Sequence, residues 1–147
     1  MDKEEILSQI LLWSSQAGLQ ATRIDDPSAD LHIIVSEPNL PNIDILHLKP
    51  DIEFLIFASR VITSEEHQRK LLSLNGKQRS EFYSKIKLRL LSTSLEYRMV
   101  GAESGVVSSY EIYFKFFPKN NTAQSFWRTY VLLKNIALFI ASMHQEL

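Results

Sequence analysis

The sequence contains no cysteine. That single absence excludes disulfide scaffolds, cysteine zinc sites, iron–sulfur clusters and thiol catalysis. Glycine and proline are scarce, with four and five residues among 147, so most of the chain is expected in regular elements. The glycines, at 18, 76, 101 and 105, form neither a Walker loop nor a dinucleotide fingerprint. There is no Gly-x-Ser-x-Gly nucleophile elbow. No apolar run approaches the ~20 residues needed to span a bilayer. The longest, Val131 to Met143, is interrupted by Lys134, Asn135 and Ser142. The start, Asp2-Lys3-Glu4-Glu5, is acidic, unlike the basic opening of a signal peptide. These absences lead us to expect a cytoplasmic, non-enzymatic protein with no membrane segment and no cofactor.

What the chain does contain is ordinary for one globular domain: 45% hydrophobic and 22% charged residues. We therefore read residues 1–147 as a single domain. The net charge of −1 hides an asymmetry. Residues 1–66 carry twelve Asp/Glu against four Lys/Arg, and residues 67–147 carry twelve Lys/Arg against five Asp/Glu. Such a split suggests nucleic-acid contact or, more simply, acidic and basic elements packed side by side. The second reading is preferred here.

Periodicity supplies the order of elements. Asp2 to Gln16 predicts a helix, with Ile6, Leu7, Ile10, Leu11 and Trp13 on its apolar face and Gly18 as its terminator. Leu19 to Ile24 offers a short edge strand. Three strands follow, over Leu31–Ser36, Ile43–Leu48 and Ile52–Ile62, with connections short enough for an antiparallel meander. Thr63 and Glu66 have capping-box spacing at the start of the next helix. That helix breaks or kinks at Asn75-Gly76 and resumes from about Lys77 to Ser92. Strands over Leu95–Val100 and Val106–Phe117 precede a last helix over Asn120–Leu147, with Asn121 and Gln124 as its capping pair. The expected class is α+β, with an antiparallel sheet of about five strands in the order α-β-β-β-α-β-β-α.

This order resembles the type III secretion chaperone-like fold, the group that includes the Tir chaperone. The apolar strand running from Ile52 into Thr63-Ser64-Glu65-Glu66-His67 is similar to small uncharacterised prokaryotic proteins, many of them archaeal. The resemblance covers nearly the whole chain by pattern and rests on no diagnostic motif. It implies a homodimeric, chaperone-like module that binds a partner protein or peptide. The near-neutral charge and basic C-terminal half depart from the acidic character of that group.

Candidate sites are few. The last helix is apolar over an unusually wide arc, beyond the ~100° stripe of a surface helix. Phe126, Trp127, Leu132, Phe139 and Met143 are the residues singled out as a partner interface. Lys77, Arg79, Lys85, Lys87 and Arg89 form a basic run with Phe82 and Tyr83 among them, a pattern a nucleic-acid surface uses. The plainer reading of that run is a solvated helix flanking a Phe82–Ile86–Leu90 core stripe, and nucleic acid is the secondary expectation. Among the histidines, His32 and His47 lie on adjacent predicted strands with Asp44 and Asp51 nearby. They lack metal-ligand spacing, and we read them as ordinary residues on the sheet's exposed side. The loop Gly101–Gly105 precedes a strand, not a helix, so it lacks a helix N-terminus for an anion. No residue is assigned a catalytic or metal-binding role.

Overall fold

The computed structural model describes residues 2–147. Helix α1 (Lys3–Gln16) leads into strands β1 (Gln20–Ile24), β2 (Leu31–Ser36), β3 (Ile43–His47) and β4 (Leu55–Ile62). Helices α2 (Glu65–Ser73) and α3 (Gly76–Leu91) follow, then β5 (Glu96–Val100), β6 (Ser109–Phe116) and α4 (Ala123–Gln145). The six strands lie in the order β1-β2-β3-β4-β6-β5, and β1 to β4 form an antiparallel meander. The α+β class is as expected. The strand count is not five, because Gln20–Ile24 pairs along its whole length with β2, from Gln20 opposite Ser36 to Ile24 opposite His32.

The break at Asn75 is complete. Leu74 leaves the helical region, and Asn75 caps α3 in a reciprocal box with Gln78. Two other caps differ from expectation by one residue. Ser64, not Thr63, caps α2 by accepting the His67 N–H. Thr122 and Ser125, not Asn121 and Gln124, exchange hydrogen bonds at the start of α4. Both corrections have the same cause: a hydroxyl next to the expected cap reaches the orphan N–H groups of the first turn.

Two compact units can be described within the chain. The first comprises the chain through Ser59 with Tyr113–Lys134, and the second Arg60–Ile112 with Asn135–Leu147. Strands β4 and β6 and helix α4 each contribute residues to both.

In the first unit, α1 ends at Gly18, whose φ of +74° is the left-handed turn that only glycine adopts freely. Its Ile6, Ile10 and Trp13 are buried. The strands answer with Leu31, Ile33, Val35, Ile43, Ile45, Leu55 and Phe57, all buried on one face of the sheet. Phe57 stacks on Phe116 with ring centres 4.6 Å apart, and Trp13 and Phe126 close over them. Full burial of each such side chain contributes roughly 1.5–3 kcal/mol. In the second unit, Phe82, Ile86 and Leu90 give α3 one buried stripe, and Tyr110, Ile112, Ile136 and Ile140 are buried.

Candidate functional site

The strands of the first unit bury one face and leave the other partly open. Strand periodicity makes the two faces alternate along the same backbone. In β2 the pattern is buried at Leu31, Ile33 and Val35 and half-buried at His32, Ile34 and Ser36. In β3, Ile43, Ile45 and His47 are buried while Asp44 and Leu46 are half-buried. In β4, Leu55, Phe57 and Ser59 are buried while Ile56 and Ala58 are half-buried. The register aligns the open-face residues into two rows. One runs Thr22, Ile34, Asp44, Ala58, and the other Ile24, His32, Leu46, Ile56. Strand β6 lies next to β4. The Phe57–Phe116 stack places Phe116 on the covered face, so Lys115 shares the open face with Ile56.

This face has three zones. At one end, His32 holds Asp26 at 2.8 Å through Nδ1 and Asp44 at 2.7 Å through Nε2. Asp26 also accepts the Ser28 hydroxyl and N–H. These two bonds, with His32 behind them, hold its carboxyl below the usual carboxylate range. Two carboxylates around one imidazole make this end acidic. Next across the strands lie Leu46, Ile56 and Ala58, while Ile34 stands beside His32 on β2 and Asp44 comes between Ile34 and Ala58 in their row. At the other end, Lys115 places its ammonium 5.2 Å from the centre of the Phe54 ring, and Phe54 packs against the exposed Phe117. The neighbouring sheet edge is guarded: Arg23 of β1 pairs with Glu4 at 3.3 Å, the kind of edge charge that discourages strand addition.

The two strand histidines do not meet. His32 stands opposite Leu46, and His47 stands opposite Leu31, so they occupy opposite faces. His47 is fully buried, contrary to its expected exposure. Its Nε2 donates to the Ile52 carbonyl at 2.8 Å, and its Nδ1 lies 3.1 Å from Asp30. Ile43, Ile45 and His47 share a parity, and that was the signal for its burial. Among the described residues no group of three or more His, Asp or Glu is placed to hold a metal.

The residues singled out on the last helix separate. Phe126 is fully buried against Trp13 and Phe57 and serves the core. Leu132, Phe139 and Met143 are half-buried. Trp127 is exposed but organised. It stacks on Tyr130, and Lys134 sits 5.8 Å and 5.5 Å from the two ring centres. The Tyr130 hydroxyl donates to Glu37 at 2.7 Å, and Lys134 pairs with the same carboxylate. Burial, then the Glu37 charge, pushes the Tyr130 hydroxyl pKa up.

The basic run does not form one stripe. Lys77, Lys85, Lys87 and Arg89 are exposed and Arg79 half-buried, spread over both flanks of the buried Phe82–Ile86–Leu90 line at helical spacing. Nearby, His144 is buried with Nδ1 donating to the Ile140 carbonyl. That leaves Nε2 to accept from the Tyr110 hydroxyl at 3.2 Å. Burial lowers the His144 pKa, and the neighbouring His67 lowers it further.

Comparisons place the chain among uncharacterised relatives. Its fold is that of a crystal structure of an uncharacterized protein from Methanothermobacter thermautotrophicus, with a TM-score of 0.83, 23% identity, and 95% and 96% of the two chains covered. No curated protein matches the chain. No helix among the described residues is long and apolar enough to cross a membrane. The profile of a family described as "Uncharacterized conserved protein (DUF2299)" matches residues 6–143, and the chain belongs to that family.

Proposed function

We propose that this protein is a non-catalytic protein-interaction module that acts as a homodimer, with the open face of the first unit's sheet as its interface. The observation that carries the reading is the three-zone face itself. An isologous interface must be self-complementary. A twofold axis lying in the interface across the middle of the strip sets the His32–Asp26–Asp44 end of one copy over the Lys115 end of the other. The apolar middle then meets its own copy. Charge complementarity of this kind fixes orientation, and the apolar centre supplies the affinity. A carrier of this design holds partner proteins on surfaces left over from the dimer, in the manner the chaperone-like resemblance implies, and works in the cytoplasm.

Sedimentation equilibrium tests the reading. The wild-type chain is expected at twice its 17.0 kDa mass. Leu46→Lys is expected to sediment as a folded monomer, because it sets a charge in the middle of the apolar zone. A wild-type monomer at high concentration, or an unaltered dimer in Leu46→Lys, contradicts it.

A further inference from the structure

The second unit contains a polar cleft that neither the dimer nor the core uses. Its volume is about 240 Å³. One wall is helix α3, which presents Ser80, Tyr83, Ser84 and Lys87 to it. These residues are spaced i, i+3, i+4 and i+7, which aligns them in one stripe. The other wall is the end of β5, where Met99 contributes apolar surface, and the turn after it, with Gly105 at the rim and the buried Val107 behind. No carboxylate lines the cleft.

The turn is built to stay open. Gly101 and Gly105 both have left-handed φ, +85° and +88°. A Cβ on Gly101 would come within 2.9 Å of the Ser108 hydroxyl, so both conformation and space require glycine there. The Ser104 and Ser108 hydroxyls donate to the carbonyls of Gly101 and Val100 and fasten the turn from within. The Val107 N–H donates to the Tyr83 hydroxyl at 2.9 Å and ties the turn to α3. That leaves the proton of the Tyr83 hydroxyl for another acceptor. Arg79 lies one turn before Tyr83, and its guanidinium passes Gly105 closely enough that a Cβ there would sit 3.5 Å from it. Neither Arg79 nor Lys87 pairs with a carboxylate among the described residues.

Three hydroxyl donors and Lys87 in the cleft, with the Arg79 guanidinium close to its Gly105 rim and no carboxylate in its lining, suit an acceptor-rich ligand. We propose that the cleft between α3 and the β5–β6 turn binds the phosphate monoester of a small organic molecule. Lys87 in the cleft and Arg79 near its rim supply the charge, the hydroxyls of Tyr83, Ser80 and Ser84 the hydrogen bonds, and Met99 a contact for the organic part. A cleft of about 240 Å³ is smaller than the ~300–1,000 Å³ of sites for drug-sized ligands. It suits a compact ester and not a polymer.

Amide chemical-shift titration of the full chain tests this, with phenyl phosphate, inorganic phosphate and a single-stranded oligonucleotide as probes. Phenyl phosphate is expected to give saturable shifts confined to residues around Tyr83, Ser84, Lys87, Gly105 and Val107. Inorganic phosphate should perturb the same amides more weakly. Lys87→Gln, an exposed change that leaves the core intact, is expected to weaken phenyl phosphate binding about tenfold or more, as loss of a charge-assisted hydrogen bond does. Ser84→Ala should weaken it less. No saturable shift overturns the proposal, as does equal binding by Lys87→Gln. An oligonucleotide that binds more tightly and perturbs Lys77, Lys85 and Arg89 as well overturns it in favour of nucleic acid. The dimer and the cleft occupy different residues, so Leu46→Lys should leave phenyl phosphate binding unchanged.

Discussion

The two faces of the β2–β4 sheet share one backbone and one register, yet they carry different chemistry. On the covered face, Ile33, Ile45 and Phe57 form a row that is fully buried. On the open face, one residue along, His32, Leu46 and Ile56 form a row of half-buried side chains. Each face also carries one histidine with a carboxylate partner. His47 is fully buried, with Asp30 and a carbonyl as partners. His32 sits between two carboxylates that reach solvent. The contrast separates the face that forms the core from the face that stays partly open to solvent. Apolar residues at half exposure gain less from folding than buried ones, and with a charged group at each end they form the surface on which the proposed dimer rests.

The largest effect should come from the covered face. Phe57→Ala is expected to lower the unfolding free energy by about 3–5 kcal/mol, read by urea denaturation at low protein concentration. Ile56→Ala, its neighbour on the other face, should cost less than about 1.5 kcal/mol because the side chain is only partly removed from water. Equal costs would erase the distinction between the faces.

The histidine pairs sharpen the same contrast. Asp30→Ala removes the polar group beside Nδ1 of the buried His47, and a loss of about 1–3 kcal/mol is expected. Asp44→Ala leaves His32 its bond to Asp26, and the loss should stay within about 1 kcal/mol, as for other exposed pairs. Thermal melts of the two variants decide the order.

Acidification should act through the second unit. Burial lowers the His144 pKa below its ordinary 6.5. The unfolded chain therefore binds a proton at a pH where the folded chain does not. The contribution of His144 to stability is fully present above pH 6.5 and is lost as pH falls through the lowered folded value. His144→Gln should flatten the stability profile below pH 6.5 relative to the wild type. An unchanged slope would mean that His144 is not held neutral.

The smallest effect belongs to Trp127. It is 38% exposed and contributes mainly its stack on Tyr130 and the Lys134 contact. Trp127→Ala is expected to cost about 1 kcal/mol or less. A larger loss would give that residue the core role that Phe126 has.

Much of this architecture is legible in the sequence, for identifiable reasons. Alternation in Tyr110, Ile112 and Phe116 marks β6, and the Asn75-Gly76 pair marks the break between α2 and α3. Strand β1 is harder, because Gln20-Ala21-Thr22-Arg23-Ile24 has two apolar residues and takes its order from pairing with β2. Phe126 and Trp127 are adjacent and similar in composition, but only the packing of Trp13 and Phe57 decides that one is core and the other exposed. The cleft beside α3 is less visible still. The Gly101–Gly105 loop reads as a plain connection before a strand, though it forms one 3-10 turn over Ala102–Ser104. It becomes one wall of a cleft only because Val107 and Gly105 meet residues of α3 more than twenty positions earlier. Periodicity carries no information at that separation.

The central claim is that the open face is an interface between two copies. Sedimentation equilibrium of the wild type and Leu46→Lys at matched concentration tests it most directly. A wild-type mass near twice 17.0 kDa, falling to 17.0 kDa in a variant with unchanged circular dichroism, is the predicted result. A monomeric wild type, or a variant that dimerises as well as the wild type, would contradict it.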